Sequence, residues 1–213
     1  MRFRDRKDAG QQLADLLQLL RGPDVVVLGL PRGGVPVAAE VARALSAPLD
    51  VIVVRKVGVP GQPELAMGAV GEGGVRVVDE RVARLAHVSP EEFARAGERE
   101  REELEKRVQR FRGDRPPVPL TGRVAVLVDD GIATGSTARA ACSVARAMGA
   151  ARVVFAAPVC ARESARRLAP EVDQLVYLQS PGHFSAVGQF YDDFRATPDD
   201  EVIELLQRAG QIG

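Results

Sequence analysis

VLVDDGIATGST, residues 126–137, reads as an apolar strand ending in two adjacent aspartates, followed by a small loop rich in hydroxyls. The loop opens into an alanine-rich stretch from Ala138 to Ala147, so the pattern is strand, turn, helix. In open α/β sheets such a turn lies at the carboxyl edge of the strands, where ligands bind. Gly131, Ala133, Thr134, Gly135, Ser136 and Thr137 offer amides and hydroxyls at the start of a helix, whose positive dipole end favours an anion. Asp129 and Asp130 would repel that anion at contact. A few ångströms away they would instead accept hydrogen bonds from hydroxyls or face a divalent cation. Ribose 5-phosphate satisfies both demands, being anionic at one end and a vicinal diol at the other. A plain capped turn would need neither the second acid nor the hydroxyl cluster.

Working outward, strands and helices alternate. Val25 to Leu30 and Val51 to Val54 are apolar runs bounded by turn residues, with a helix from Pro36 to Leu45 between them. The rhythm resumes at Val124 to Val128, with a helix from Ser136 to Met148, a strand from Arg152 to Ala157, a helix from Arg162 to Leu168 and a strand from Gln174 to Leu178. The predicted fold is α/β: one domain over residues 1–213, with an open, mainly parallel five-stranded sheet, right-handed crossovers and helices on both faces. A first helix from Lys7 to Leu20 places Leu13, Leu16, Leu17 and Leu20 on one face. A last helix runs from Pro198 to Ala209.

Residues 57–119 interrupt the alternation. They hold a glycine- and proline-rich stretch, Gly58 to Gly74, with a hairpin through Gly71 to Gly74, and then a long charged helix. Ser89, Pro90 and Glu92 announce that helix as a capping box with proline at its first position, and Glu91/Arg95, Glu102/Lys106 and Glu103/Arg107 are spaced as i,i+4 pairs. Its apolar stripe, Phe93, Ala96, Leu104, Val108 and Phe111, is thin. Such a helix either lies over the main domain or packs against a second subunit, which would make the protein a homo-oligomer.

The twelve residues from Val126 to Thr137 resemble the ribose-phosphate signature of type I phosphoribosyltransferases. The resemblance implies that Asp129 and Asp130 hold the ribose hydroxyls of phosphoribosyl pyrophosphate (PRPP), and that the loop from Ala133 to Thr137 holds its 5-phosphate. It makes the glycine turn after the first strand, Pro31-Arg32-Gly33-Gly34, the pyrophosphate loop, with a cis peptide near Pro31-Arg32 or Arg32-Gly33. Glycines there permit close approach, and the arginine fork suits phosphate oxygens. Arg55 and Lys56, closing the second strand, would meet the leaving pyrophosphate, Lys56 foremost. The family's flap corresponds by position to Gly58–Gly74, and its hood to residues 179–213. Four of the nine aromatic residues fall between Phe184 and Phe194. Phe184, Phe190 and Tyr191 are candidates to stack on an acceptor base. Equally, Phe190 and Phe194, four apart, would anchor the terminal helix.

Composition narrows the rest. Lys plus Arg equals Asp plus Glu at 29 each, so no net field points to nucleic acid or an anionic membrane. Met1 to Arg6 is too polar for a secretory signal, and no apolar run nears the ~20 residues needed to span a bilayer, so the expected location is the cytoplasm. Cys142 and Cys160 lack zinc-site spacing and read as reduced core thiols. The expected activity is transfer of ribose 5-phosphate from Mg-PRPP to a nitrogen acceptor in nucleotide metabolism or salvage. Catalysis rests on Asp129, Asp130, Lys56 and Arg32, magnesium is carried with PRPP, and there is no dedicated protein metal site. A PRPP- or nucleotide-sensing module on the same fold is the alternative. A dinucleotide oxidoreductase fits poorly, since Gly29 to Gly34 is not Gly-x-Gly-x-x-Gly and the second strand leads to Arg55-Lys56 rather than an acid.

Overall fold

The computed structural model describes residues 2–210. Five parallel strands form one open sheet: β1 (Val25–Gly29), β2 (Leu49–Val51), β6 (Val124–Val128), β7 (Arg152–Val159) and β8 (Gln174–Gln179), in the order β2-β1-β6-β7-β8. Their continuous apolar runs follow from burial on both faces, because alternate side chains leave a strand in opposite directions. Val25, Val27, Val126, Val128 and Val154 pack with α1 (Arg6–Leu17) and α2 (Gly34–Leu45). Val26, Leu28, Ala125, Leu127, Val153 and Phe155 pack with α5 (Ser136–Ala147) and α6 (Arg162–Leu168). Strand order reverses between β1 and β6, whose last residues Gly29 and Val128 are paired. That is where this class of sheet opens a crevice for ligands.

The second strand is displaced from its predicted place at Val51 to Val54. Leu49, Asp50 and Val51 pair with Val27, Leu28 and Gly29, and Ile52 N–H donates to the Gly29 carbonyl at 3.1 Å as the chain leaves the sheet. Asp50 hid this strand, since an acid interrupts the apolar run. Its carboxylate is accommodated by Arg112 and the Val118 amide, each at 3.0 Å. The first helix is also shorter than predicted: α1 ends at Leu17, and Leu16 faces solvent at 51% exposure.

The insertion contains a second sheet. β3 (Arg55–Val59), β4 (Gln62–Val70) and β5 (Arg76–Val78) are antiparallel, turning at Pro60–Gly61 and through Gly71–Gly74. Arg55 and Lys56 therefore open a hairpin instead of closing a parallel strand. After α3 (Glu80–Leu85) comes α4 (Pro90–Arg112), capped by Ser89 and Glu92 as predicted. It packs inside the chain, over β3, β4 and α7 (Asp199–Ala209), with Phe93, Leu104 and Phe111 buried in the main core. Its ion pairs differ in partners from those predicted: Lys106 meets Glu103 at 2.7 Å, and Arg101 engages Glu98 and Glu105.

Cys142 and Cys160 are free and buried, and burial pushes their thiols up to about 12 and about 11. Among the described residues no helix is long and apolar enough to cross a membrane.

Candidate active site

β6 delivers Asp129 and Asp130 to the carboxyl edge of the sheet, and the Asp130 amide donates to Asp129 Oδ1 at 2.8 Å. Burial, and then the neighbouring Asp130 charge, push the Asp129 carboxyl well above the usual carboxylate range. Burial raises Asp130 as well, against the pull of Arg6, whose Nε donates to Asp130 Oδ2 at 2.8 Å. The loop that follows is anchored from β7: Ile132 N–H donates to Val159 O at 2.8 Å, Ala161 N–H to Ile132 O at 2.8 Å, and Ser164 Oγ to the Ala133 carbonyl. Gly135 precedes α5 without a side-chain cap. Among the described residues, the first-turn amides there meet only a 3.5 Å approach of Ser136 N to Thr134 Oγ1. Ala133, Thr134 and Thr137 are exposed. The arrangement offers backbone and hydroxyl donors to an anion beside two carboxylates that serve as acceptors for hydroxyls.

The turn after β1 lies directly against this acid pair. Its Pro31-Arg32 peptide is cis, at one of the two positions expected. A Cβ on Gly33 would stand 2.1 Å from Asp130 Oδ2, and one on Gly34 would stand 2.5 Å from the Val128 carbonyl oxygen and 2.9 Å from the Asp129 Cα. The two loops touch only because these residues lack side chains. Gly34→Ala is expected to destabilise the fold by about 2–3 kcal/mol, since its clashes are with backbone that cannot move without parting β1 from β6. Urea unfolding measures this, and a variant as stable as the parent would contradict the close approach.

The cations divide. Lys56 Nζ donates to Ser136 Oγ at 3.0 Å, so β3 brings it to the start of α5, in the loop read as the 5-phosphate site. Arg32 is 45% exposed and meets Asp199 Oδ1 at 3.4 Å, a loose contact. Arg55 turns away: its Nε donates to Glu100 of α4 at 2.8 Å, so the long helix, not the pyrophosphate loop, holds it.

The hood corrects the acceptor reading. Phe190 and Tyr191 are 8% and 1% exposed, packed with Phe3, Ala9 and Val159, and leave no face free for a base. Residues before α1 cause this burial, because Phe3 N–H donates to Phe190 O at 2.8 Å and Asp192 N–H to Phe3 O at 2.8 Å. Tyr191 supports the site in another way, its hydroxyl donating to the Asp130 carbonyl at 2.6 Å. Phe184 is partly buried, its ring 5.2 Å from that of Phe190.

Sequence reasoning missed Phe3 and Arg6 altogether. The only signal was an aromatic residue within a polar, arginine-rich start, too little to place a segment on a loop some 190 residues away. Arg6 also lines a cavity of about 580 Å³ with Pro36, Arg195, Pro198 and Glu201, on the hood side of the acid pair.

An open parallel sheet carrying these two loops face to face at its reversal point is the architecture of the type I phosphoribosyltransferases. The chain belongs to the phosphoribosyl transferase domain family, whose model matches residues 6–195. It is 56% identical over 207 residues to a Mycobacterium tuberculosis (strain H37Rv) protein provisionally named a phosphoribosyl transferase. That match covers 97% of this chain and 47% of the relative, so the chain spans about half the length of the curated relatives it matches. Among solved structures, the TT1426 protein from Thermus thermophilus superposes with a TM-score of 0.91 at 48% identity, covering 98% of this chain and 99% of that one. The AQ2163 protein from Aquifex aeolicus shares the fold alone, with a TM-score of 0.50 at 11% identity over 86% of this chain and 78% of that one.

Proposed function

We propose that this protein transfers ribose 5-phosphate from Mg-PRPP to a nitrogen acceptor of the nucleobase class, releasing pyrophosphate. The observation that carries the reading is the contact between the two half-sites. The Gly33 backbone and the Asp130 carboxylate are close enough that even a methyl group would not fit between them, so a ligand held by one loop touches the other. Asp129 and Asp130 take the ribose hydroxyls, the loop from Gly131 to Thr137 takes the 5-phosphate, and Pro31 to Gly34 takes the pyrophosphate.

The bond from ribose C1 to the pyrophosphate oxygen breaks, with its electron pair leaving on pyrophosphate. The acceptor nitrogen forms the new bond to C1 and loses its proton. In the transition state, as the C1–O bond breaks, positive charge develops on the ribose, facing the two carboxylates, and negative charge on the leaving group, facing Arg32 and Lys56. Magnesium carried with PRPP would neutralise phosphate charge. Among the described residues no cluster of three acidic, histidine or cysteine side chains could hold a metal alone, so the ion's ligands would come from substrate and water.

Pyrophosphate release from Mg-PRPP, measured across a panel of purine and pyrimidine bases and simple amines, tests the proposal. Binding without release under every acceptor would favour a PRPP sensor on the same fold. Arg32→Ala is expected to weaken inorganic pyrophosphate about tenfold while changing ribose 5-phosphate less than about twofold, because a charge-assisted fork is lost at one end only. Calorimetry with both ligands measures this, and equal weakening would contradict the division of roles.

A further inference from the structure

Arg6, the first residue of α1, reaches three separate parts of the candidate site. Its Nε donates to Asp130 Oδ2 at 2.8 Å, its Nη1 donates to the Arg195 carbonyl at 2.8 Å, and its guanidinium carbon lies 4.0 Å from the Phe194 ring centre. The Arg6 and Asp130 side chains are 12% and 14% exposed. A Cβ on Gly33 would stand 3.2 Å from Arg6 Nε, so the same group abuts the glycine turn. A guanidinium stacked on an aromatic face and hydrogen-bonded on two edges is held in one orientation.

That orientation determines what remains of the acid pair. Arg6 occupies Asp130 Oδ2, and the Asp130 amide occupies Asp129 Oδ1. Among the described residues no N–H donor reaches the other oxygen of either carboxylate, and the two side chains touch each other. Two acceptors on adjacent residues match the two donors of a vicinal diol.

We propose that Arg6 is a positioning residue for the ribose hydroxyls: it locks Asp130 so that one oxygen from each aspartate is presented to the sugar, and it joins that site to the hood. The inference rests on the PRPP reading above. It has a consequence for charge. The groups acting on the Asp130 carboxylate are Asp129 beside it and Arg6 from α1, while the Tyr191 phenol of the hood bonds the Asp130 main-chain carbonyl and Arg32 of the adjoining turn is drawn toward Asp199. Arg6 is thus the cation in contact with a pair of adjacent, desolvated acids. Without it the pair would retain a proton to higher pH, and ligands that need both oxygens ionised would be lost at low pH and regained as pH rises.

The test compares Arg6→Gln and Arg6→Lys with the parent by calorimetry, using Mg-PRPP and, separately, inorganic pyrophosphate, at about pH 6, 7 and 8.5. Arg6→Gln is expected to weaken Mg-PRPP about tenfold or more at the lower pH values, with partial recovery at the highest, while pyrophosphate changes less than about threefold. Arg6→Lys keeps the charge, so its pH profile should match the parent even where affinity falls about threefold, and it serves alone if the glutamine variant does not fold. Unchanged Mg-PRPP affinity in Arg6→Gln would overturn the proposal. So would equal, pH-independent loss of both ligands, the mark of a merely structural arginine, or a shifted profile in Arg6→Lys. Failure of the parent itself to bind Mg-PRPP would overturn the underlying reading, and this inference with it.

Discussion

Replacing Asp129 and Asp130 together by asparagine is expected to weaken Mg-PRPP by at least about 100-fold, since each carboxylate lost as a hydroxyl acceptor removes a charge-assisted hydrogen bond of about 1.5–3 kcal/mol. Titration calorimetry measures this directly, and a double variant binding as tightly as the parent would remove the acid pair from the site. The single change Asp129→Asn should carry an opposite effect on stability. The folded-state pKa of Asp129 is raised above its ordinary value of 3.8 by burial and by Asp130. Between these two values the folded chain holds more proton than the unfolded one, so this group's stabilising contribution is complete below the lower value and is lost as pH rises through the upper. Above the lower value the buried acid therefore costs stability, and the neutral amide relieves that cost. Asp129→Asn should therefore melt a few degrees above the parent at pH 7, with the gain vanishing toward pH 3. A lower melting temperature at pH 7 would contradict the assigned burial. The acids at the site are held against a stability cost, as expected of groups retained for binding.

Arg112→Ala should have the largest effect on stability. The Arg112 side chain is 5% exposed. Its Nε donates to Asp50 Oδ1 at 3.0 Å, its Nη2 to Glu72 Oε1 at 3.0 Å and to the Val51 carbonyl at 3.2 Å, and its Nη1 meets the other Glu72 oxygen. Burial works against this charge, yet Glu72 and Asp50 hold the guanidinium pKa above its usual value. One residue at the end of α4 thereby ties the edge strand β2 to the link between β4 and β5. Alanine would strand two buried carboxylates, at a cost of about 3–5 kcal/mol, and lower the melting temperature by roughly 6–20 °C. Methionine at 112 combined with Asp50→Asn and Glu72→Gln should recover much of the loss, because no buried charge then lacks a partner. If alanine alone is tolerated within about 1 kcal/mol, the cluster does not hold the insertion to the sheet.

Local chemistry was enough to read the five parallel strands, the crossover helices, the capped helix α4 and the two ligand loops. A doubly covered strand must be apolar throughout, a capping box satisfies its own amides, and loops that approach each other closely must be glycine. Each constraint acts over a few residues and leaves its mark there. The shift of the second strand to Leu49–Val51 escaped because Asp50 is neutralised by Arg112, 62 residues away. Arg55 and Lys56 are consecutive and equally basic, yet one binds Glu100 and the other Ser136, a choice made by the β3–β4 hairpin lying under α4. Phe190 and Tyr191 have the right residue types for a base platform, but Phe3 pairs with their backbone and closes the aromatic cluster.

By itself, then, the sequence determined the class of sheet and the chemistry of its edge, from VLVDDGIATGST and the Pro31–Gly34 turn. Only the tertiary structure decided which cations and rings reach that edge. The reason is physical: backbone preference and burial periodicity are written in neighbouring residues, whereas the partner of a charge or an aromatic face is whatever distant segment the fold lays beside it. Arg6 is the clearest case, an arginine in a polar leader whose place beside Asp130 exists only once α1, the hood and β6 have met.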